Sequence, residues 1–337
     1  MISREEALRG CQYAAMAKGK RGEAALLRIS GGYITAYNEE MYAACKTPIE
    51  GEFCVDATKI IKCLDSHPDA EVGLEVKDTM LVVRGRGWRY QTPIEPAGPW
   101  YGCRRPTEWH EVGDSWSAAL SVVGRAASRL KTAQPKLRCV FFSPDKMEAF
   151  DGGQYAVAKV ASPLTSSAVV PWEYLKRIDG IGVTHIAVEG GFLHMRTVIG
   201  VHIAVRVWDS TYPDLSPLLA WGDESQEILL PVSLKEEAAQ VVKQVQTKDT
   251  PITVRLQNGC LMMKASSEDH VTYARKVGAP YSGEQYEFHV GYAILELLAS
   301  WGRLVVHPWQ NGQDRLVYQA NGLTCVALTH PRADWEE

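Results

Sequence analysis

Residues 137–160 read LRCVFFSPDKMEAFDGGQYAVAKV, and this stretch decides the fold. Leu137 to Phe142, Lys146 to Phe150 and Gln154 to Val160 alternate apolar and polar residues, and Asp151-Gly152-Gly153 supplies the last turn. Alternation broken by turn residues predicts three antiparallel strands. Upstream, Asp114 to Leu130 has helical spacing, with Trp116, Leu120, Val123 and Ala127 on one side. Downstream lie a shorter helix, Pro171 to Ile178, and three more strands, Thr184 to Val188, Phe192 to Thr197 and Val201 to Val207.

The same order recurs on both sides. Before it, helix Arg4 to Met16 leads to strands Ala24 to Ile29, Tyr33 to Tyr37 and Met41 to Lys46, then helix Ala57 to Leu64. After it, helix Ser233 to Val245 leads to strands Ile252 to Gln257, Cys260 to Ala265 and Val271 to Arg275, then helix Tyr292 to Trp301. Ser233 with Glu236 three residues on is a capping-box signature. Gly31-Gly32 and Asn258-Gly259 supply turn chemistry between these strands, and the junctions Val55, Val170 and Val290 lie 115 and 120 residues apart in a chain of 337. A threefold repeat of helix, three strands, helix, three strands predicts an α+β fold of three like domains, each with two helices packed on antiparallel sheets. Pro96-Ala97-Gly98-Pro99 with Arg104-Arg105-Pro106, and the stretch from Pro213 to Ser225, read as linkers. The expected domains are therefore 1–105, 106–222 and 223–337.

Composition narrows the function. A hydrophobic fraction of 46% and a charged fraction of 23% exclude a disordered or fibrous chain. With 36 basic and 40 acidic residues the net charge is −4, which excludes nucleic-acid binding by bulk charge but not by a local basic surface. No apolar run approaches the roughly 18 residues of a membrane span, and Met1-Ile2-Ser3-Arg4-Glu5-Glu6 is a poor secretory start. Eight cysteines without a Cys-x-x-Cys pair read as reduced thiols, which places the chain in the cytoplasm.

Catalytic signatures are missing. There is no Gly-x-x-x-x-Gly-Lys-Ser/Thr loop, Gly-x-Ser-x-Gly elbow or His-Glu-x-x-His helix. His185, His194 and His202 with Glu189 invite a metal guess, but their irregular strand offsets suit surface or core histidines better. Asp145, Asp151 and Asp214 belong to turns. The expectation is no enzyme, no metal and no cofactor.

Basic residues concentrate on the helices and their ends. They are Arg4, Arg9, Lys18, Lys20 and Arg21 at the first helix, Lys59 and Lys62 at the second, and Arg125, Arg129 and Lys131 at the third. Lys176 and Arg177, then Lys235 and Lys243, continue the series, and Arg84 and Arg86 add two cations in a predicted hairpin. Recurrence of one sign on one class of element predicts a face toward a polyanion.

At this point the sequence resembles the bacterial DNA polymerase sliding clamps, the beta subunit family, in a bacteriophage version. Phe150-Asp151-Gly152-Gly153-Gln154-Tyr155-Ala156 resembles the family's Thr-Asp-Gly-His-Arg-Leu-Ala turn. Val205-Arg206-Val207 with Thr211-Tyr212-Pro213-Asp214 resembles its strand leading into Phe-Pro-Asp-Tyr. Met80 to Gly87 resembles its Met-Leu-Val-Arg-Ser-Gly-Arg-Ser segment, and Val326-Ala327-Leu328 with Pro331-Arg332 its C-terminal run.

The resemblance implies a homodimeric ring of six domains whose helices line a channel for duplex DNA, bound without sequence preference and installed by an ATP-driven loader. It also implies a cleft for the polymerase and other clamp-binding peptides, with Gln154, Tyr155, Leu218, Leu219, Leu328 and Pro331 as candidates. Trp88 and Tyr90 against Val241 and Val245 are the implied subunit contacts. Three departures stand out. The family begins with a strand, whereas the helical pattern here starts almost at Met1; Gly153-Gln154-Tyr155 replaces His-Arg-Leu; and Ala333 to Glu337 extend the end. Two other classes stay open, a β-rich virion or carbohydrate-binding protein without a ring, and a nucleic-acid enzyme with an unrecognised site.

Overall fold

The computed structural model describes residues 1–19, 25–97, 103–128, 132–160, 164–245, 251–266, 272–309 and 312–330. The first third runs β1 (Ile2–Ser3), α1 (Arg4–Ala14), β2 (Leu26–Ser30), β3 (Tyr33–Tyr37), β4 (Met41–Lys46), β5 (Phe53–Asp56), α2 (Ala57–Asp65), β6 (Glu71–Lys77), β7 (Met80–Gly85) and β8 (Trp88–Pro96). The middle third runs β9 (His110–Glu111), α3 (Asp114–Gly124), β10 (Cys139–Phe142), β11 (Met147–Phe150), β12 (Gln154–Ala158), β13 (Ala168–Pro171), α4 (Trp172–Leu175), β14 (Val183–Glu189), β15 (Phe192–Thr197) and β16 (His202–Arg206). The last third runs β17 (Gln226–Leu229), α5 (Leu234–Val245), β18 (Ile252–Gln257), β19 (Cys260–Ser266), β20 (Thr272–Gly278), β21 (Tyr286–Val290), α6 (Tyr292–Trp301), β22 (Arg303–Pro308), β23 (Asp314–Ala320) and β24 (Leu323–Leu328).

One order thus occurs three times: strand, helix, four strands, helix, three strands. The strand opening each third is absent from the sequence reading, because two to four residues leave little alternation to read. Its presence corrects the expectation of a helix from the first residue. Ile2 and Ser3 pair with Val72 and Glu71 of β6 before α1 begins. The Ser3 hydroxyl then accepts from the Glu6 amide at 3.3 Å and caps the helix. Asp56 caps α2 in the same way, accepting from the Lys59 amide at 2.8 Å. Two helices are shorter than expected. After Gly124 the chain of α3 tightens into three-residue turns, Arg125 to Val122 and Ala126 to Val123, and α4 passes into a 3₁₀ turn at Lys176–Ile178.

The chain folds as two compact units. One comprises Met1–Ser121, Cys139–Lys146 and Val160–Thr211. It holds a twelve-stranded sheet ordered β1-β6-β7-β8-β5-β2-β3-β4-β16-β15-β14-β9. Helix α1 lies on β3 and β4 and against α2, enclosing Ile34, Ala36, Ala43, Ile60 and Leu64, none more than 0% exposed. Trp116 of α3 stacks on Phe142 with ring centres 5.8 Å apart. Its indole nitrogen is buried without a protein acceptor.

The other unit comprises Val122–Arg138, Met147–Lys159 and Tyr212–Glu337. Six strands run β11-β12-β24-β23-β22-β17, and a separate sheet runs β20-β19-β18-β21. Helices α5 and α6 cover a core of Ile228, Leu234, Ile252, Leu256, Leu295 and Leu316. Val241 and Val245 belong to that core at 0% and 4% exposure. Expected as subunit contacts, they are turned inward by the phase of α5 and have no surface to offer a second chain.

Replacing Trp116 by alanine should remove about 3–5 kcal/mol from the stability of the first unit, which holds it. Trp116→Phe, which keeps the ring contact and deletes the unsatisfied donor, should lose far less. Chemical denaturation of both variants checks this, and equal losses would contradict the assignment.

Candidate nucleic-acid interface and peptide groove

The helix cations of the first unit fall into two groups. Arg4 and Arg9 are occupied: Arg4 donates from Nη1 to the Leu64 carbonyl at 2.8 Å, and Arg9 pairs with Glu5 at 2.8 Å. Arg84 is likewise held by Glu75 at 3.3 Å. The second group is drawn together. Arg177, at the end of α4, donates to the Met16 carbonyl. Two residues further on, Lys18 donates from Nζ to the Thr58 hydroxyl of α2 at 3.0 Å. These bonds put Lys176, Arg177, Lys18, Lys59 and Lys62 along neighbouring helix ends. Among the described residues none of the five is ion-paired. Arg86 is exposed in the β7–β8 turn, where its amide donates to Asp69. Lys20, Arg21, Arg129 and Lys131 lie outside the described residues.

In the second unit the Asp151 turn builds a groove of about 620 Å³ lined by Arg125, Asp151, Gln154, Lys235, Glu296 and Leu297. Asp151 accepts from the Gly153 and Gln154 amides at 2.9 and 2.8 Å and from the Gln154 side chain at 2.7 Å. Gly152 takes φ +106°, which lets the chain reverse so tightly. The Gln154 side-chain Nε2 also donates to the Arg125 carbonyl at 3.4 Å. On the other wall Lys235 of α5 pairs with Glu296 of α6 at 3.4 Å. Arg125 and Lys235, expected on a DNA face, therefore share a groove with Gln154, expected in a peptide cleft. Lys243 is exposed elsewhere on α5.

The remaining cleft candidates divide by burial. Tyr155 is 2% exposed and donates to Glu148 at 2.6 Å. Burial, then this bond to the carboxylate, pushes the phenol far above its ordinary pKa. At that burial it offers no contact surface to a peptide. Leu218 is 8% exposed; Leu219 and Leu328 are half-buried, and the Leu328 amide donates to the Gly153 carbonyl at 2.8 Å. Pro331 lies outside the described residues.

A residue absent from the sequence reading fixes the Leu218 segment. Arg315 of β23, 3% exposed, donates from Nη1 to the carbonyls of Pro217 and Leu218 at 3.4 Å and of Ala220 at 2.9 Å. Its guanidinium lies 4.2 Å from the Trp309 ring and 5.8 Å from Trp221. The one sign of this in the sequence is an arginine among apolar strand residues, Asp314-Arg315-Leu316-Val317.

Of the expected subunit contacts, Trp88 stacks on His67 with ring centres 3.6 Å apart and donates to Asp69. Tyr90 is half-buried. The histidines do not gather into a metal-ligand cluster: among the described residues no three His, Cys, Asp or Glu side chains are placed to hold one ion. His185 contacts Thr184. His194 and His202 form a buried pair, Nδ1 to Nε2 at 3.0 Å. His194 Nε2 donates to the Glu189 carbonyl at 3.1 Å, so His194 Nδ1 accepts and His202 Nε2 is the donor between them. His202 Nδ1 is then left without a protein partner.

Solved structures with this arrangement cover almost the whole chain. DNA polymerase III subunit beta from Pseudomonas aeruginosa matches with a TM-score of 0.80 at 17% identity, over 98% of this chain and 99% of that one. The beta subunit from Thermotoga maritima matches at 0.80 and 17%, over 98% of each chain. The Helicobacter pylori beta clamp bound to a DNA ligase peptide matches at 0.75 and 13%, over 98% and 99%. No family model and no curated sequence relative matches the chain. The fold is that of the bacterial sliding clamps.

Acid should expose the histidine pair. Burial, then His194, Arg105 and Arg196, lower the His202 pKa from 6.5 to about 3. Between these values the unfolded chain binds the proton and the folded one does not. Stability should therefore fall as pH drops from 6.5 toward 3 and be unaffected above 6.5. His202→Gln should flatten that fall in urea titrations at pH 7, 5 and 4; an unchanged slope would assign the acid sensitivity to other groups. Separately, Tyr155→Phe, which strips a hydrogen bond from a buried carboxylate, should lower stability by about 1.5–3 kcal/mol.

Proposed function

We propose that the chain is a DNA polymerase sliding clamp, a processivity factor that encircles duplex DNA as a head-to-tail homodimer. The observation that carries this reading is a pattern of filled and unfilled sheet edges. β4 pairs with β16, Ala43 facing Ile203, and β12 pairs with β24, Ala156 facing Cys325. β20 holds the same place in the last third, yet among the described residues its outer edge pairs with nothing. β8 holds the place of β16 and β24. Its Trp88–Pro93 portion bonds to β7 alone. One open edge of each kind per chain is what a heterologous ring contact needs, and two copies close it. Matching the two-residue turns Gly31-Gly32 and Asn258-Gly259 aligns Arg275 with Ala43. Arg275 of one copy then faces Tyr90 of the next, so Tyr90 keeps its expected role with β20 in place of α5.

The three domains are residues 1–105, 106–222 and 223–337. Lys18, Lys59, Lys62, Lys176 and Arg177 touch DNA phosphates weakly and without reading bases, which lets the ring slide. The groove at Asp151, Gln154 and Leu297 takes the peptide tails of the polymerase and other partners. The DNA ligase peptide on the Helicobacter clamp supports a peptide site in this fold. An ATP-driven loader opens the ring, and its place of work is the cytoplasm. Among the described residues no helix is long and apolar enough to cross a membrane.

With a loader, the protein should stay on nicked circular DNA and leave once the circle is cut. Equal retention on both forms would overturn the ring. Solution mass should be twice 37.3 kDa, and Tyr90→Cys combined with Arg275→Cys should cross-link into that dimer. A dimer that fails to cross-link would overturn the register alone. Alanine at Lys59, Lys62 and Arg177 together should reduce the slope of log affinity for duplex against log salt by about 2.7, three contacts at roughly 0.9 each. An unchanged slope would remove these residues from the DNA face.

A further inference from the structure

The twelve-stranded sheet has a second face, away from the α1 core, that the clamp reading leaves unused. On β15 and β16 the residues Leu193, Met195, Ile203 and Val205 turn to the core at 0% exposure. Their alternates, Phe192, His194, Arg196, His202 and Arg206, turn the other way, and register puts Tyr42 beside Ala204 and Tyr33 beside Lys46 on that same face. The segment Cys103–Trp109 lies across it. Cys103 Sγ is 3.7 Å from His194 Nε2, the Thr107 amide donates to Glu189 at 3.0 Å, and Trp109 meets the His202 ring edge-on at 5.3 Å.

Four exposed arginines stand on this surface: Arg104, Arg105, Arg196 and Arg206. Three lie over aromatic rings, Arg196 at 4.0 Å from Trp109, Arg105 at 4.8 Å from Tyr33 and Arg206 at 5.3 Å from Phe192. Arg206 also donates from Nε to the Glu39 carbonyl at 2.9 Å. Among the described residues none of the four forms an ion pair, and Glu189 on the same face already accepts from Thr107. In a chain of net charge −4, these are unneutralised cations, three of them with orientations set by rings.

We propose that this sheet face binds single-stranded nucleic acid. A guanidinium resting on a ring keeps its other face free for a base, while its N–H edges meet phosphates. A duplex hides its bases from such planes, and an acidic peptide has nothing to stack there. The site is separate from the cations of α2 and α4 and does not depend on ring closure.

The test is fluorescence anisotropy of a labelled dT oligonucleotide with the full-length protein. Binding tighter than to a duplex of equal length is expected. Arg105→Gln, Arg196→Gln and Arg206→Gln together should weaken it at least ten-fold and lower the salt slope by about 2, three contacts at roughly 0.7 each for single strands. Should the triple variant melt early, Arg196→Lys keeps the charge, loses the plane and should still weaken binding. Unchanged affinity in folded variants overturns the proposal. So does equal affinity for an abasic oligonucleotide, or displacement by polyglutamate at equal charge, which would assign the face to an acidic protein. Loader-dependent retention on nicked circles should be unaffected by these variants, so a failure here leaves the clamp reading standing.

Discussion

Backbone hydrogen bonding at sheet edges is the constraint on which this structure rests. A strand at a sheet edge presents a row of N–H and C=O groups that must be paired, hydrated or hidden. Here the third strand of a meander repeatedly meets the last strand of the following third, β4 with β16 and β12 with β24. Neither pairing relies on a particular side chain. Ala43 and Ala156 serve at equivalent places, facing Ile203 and Cys325. The repeat can therefore drift far in sequence while its hydrogen-bond plan persists, which fits an identity of 17% beside a TM-score of 0.80.

Much of that plan was legible in the chain. Tyr33–Tyr37, Met41–Lys46, Ile252–Gln257 and Tyr292–Trp301 occur at the expected bounds, because each carries a strong period and is closed by turn or cap residues. The two-residue strand at Ile2–Ser3 was not legible, since it is made by pairing with β6 rather than by any local pattern. The early end of α3 has a similar origin: Ala126 and Ala127 continue the apolar spacing, yet the chain there leaves the helix for tight turns.

Side-chain roles were harder to read than elements. Alternation on β12 does not reveal that Glu148 on β11 is buried and takes the Tyr155 hydroxyl. Helical phase alone left Val241 and Val245 free to face a partner, and the core of α5 claims them. Arg125 and Lys235 carried the right sign for DNA, but they line the groove beside Gln154. Charge type is written in sequence; which neighbour neutralises it is decided by distant segments. The arginines over Trp109, Tyr33 and Phe192 show the same limit, since none of the three rings is near its arginine in the chain order.

Arg315 grips carbonyl oxygens of Pro217, Leu218 and Ala220 and touches none of their side chains through hydrogen bonds. A loop anchored by its main chain keeps its pose whatever residues it displays. Leu219, half-buried on that loop, can thus be exchanged for another shape with the main-chain grip intact, whereas Leu218 at 8% exposure is packed and cannot.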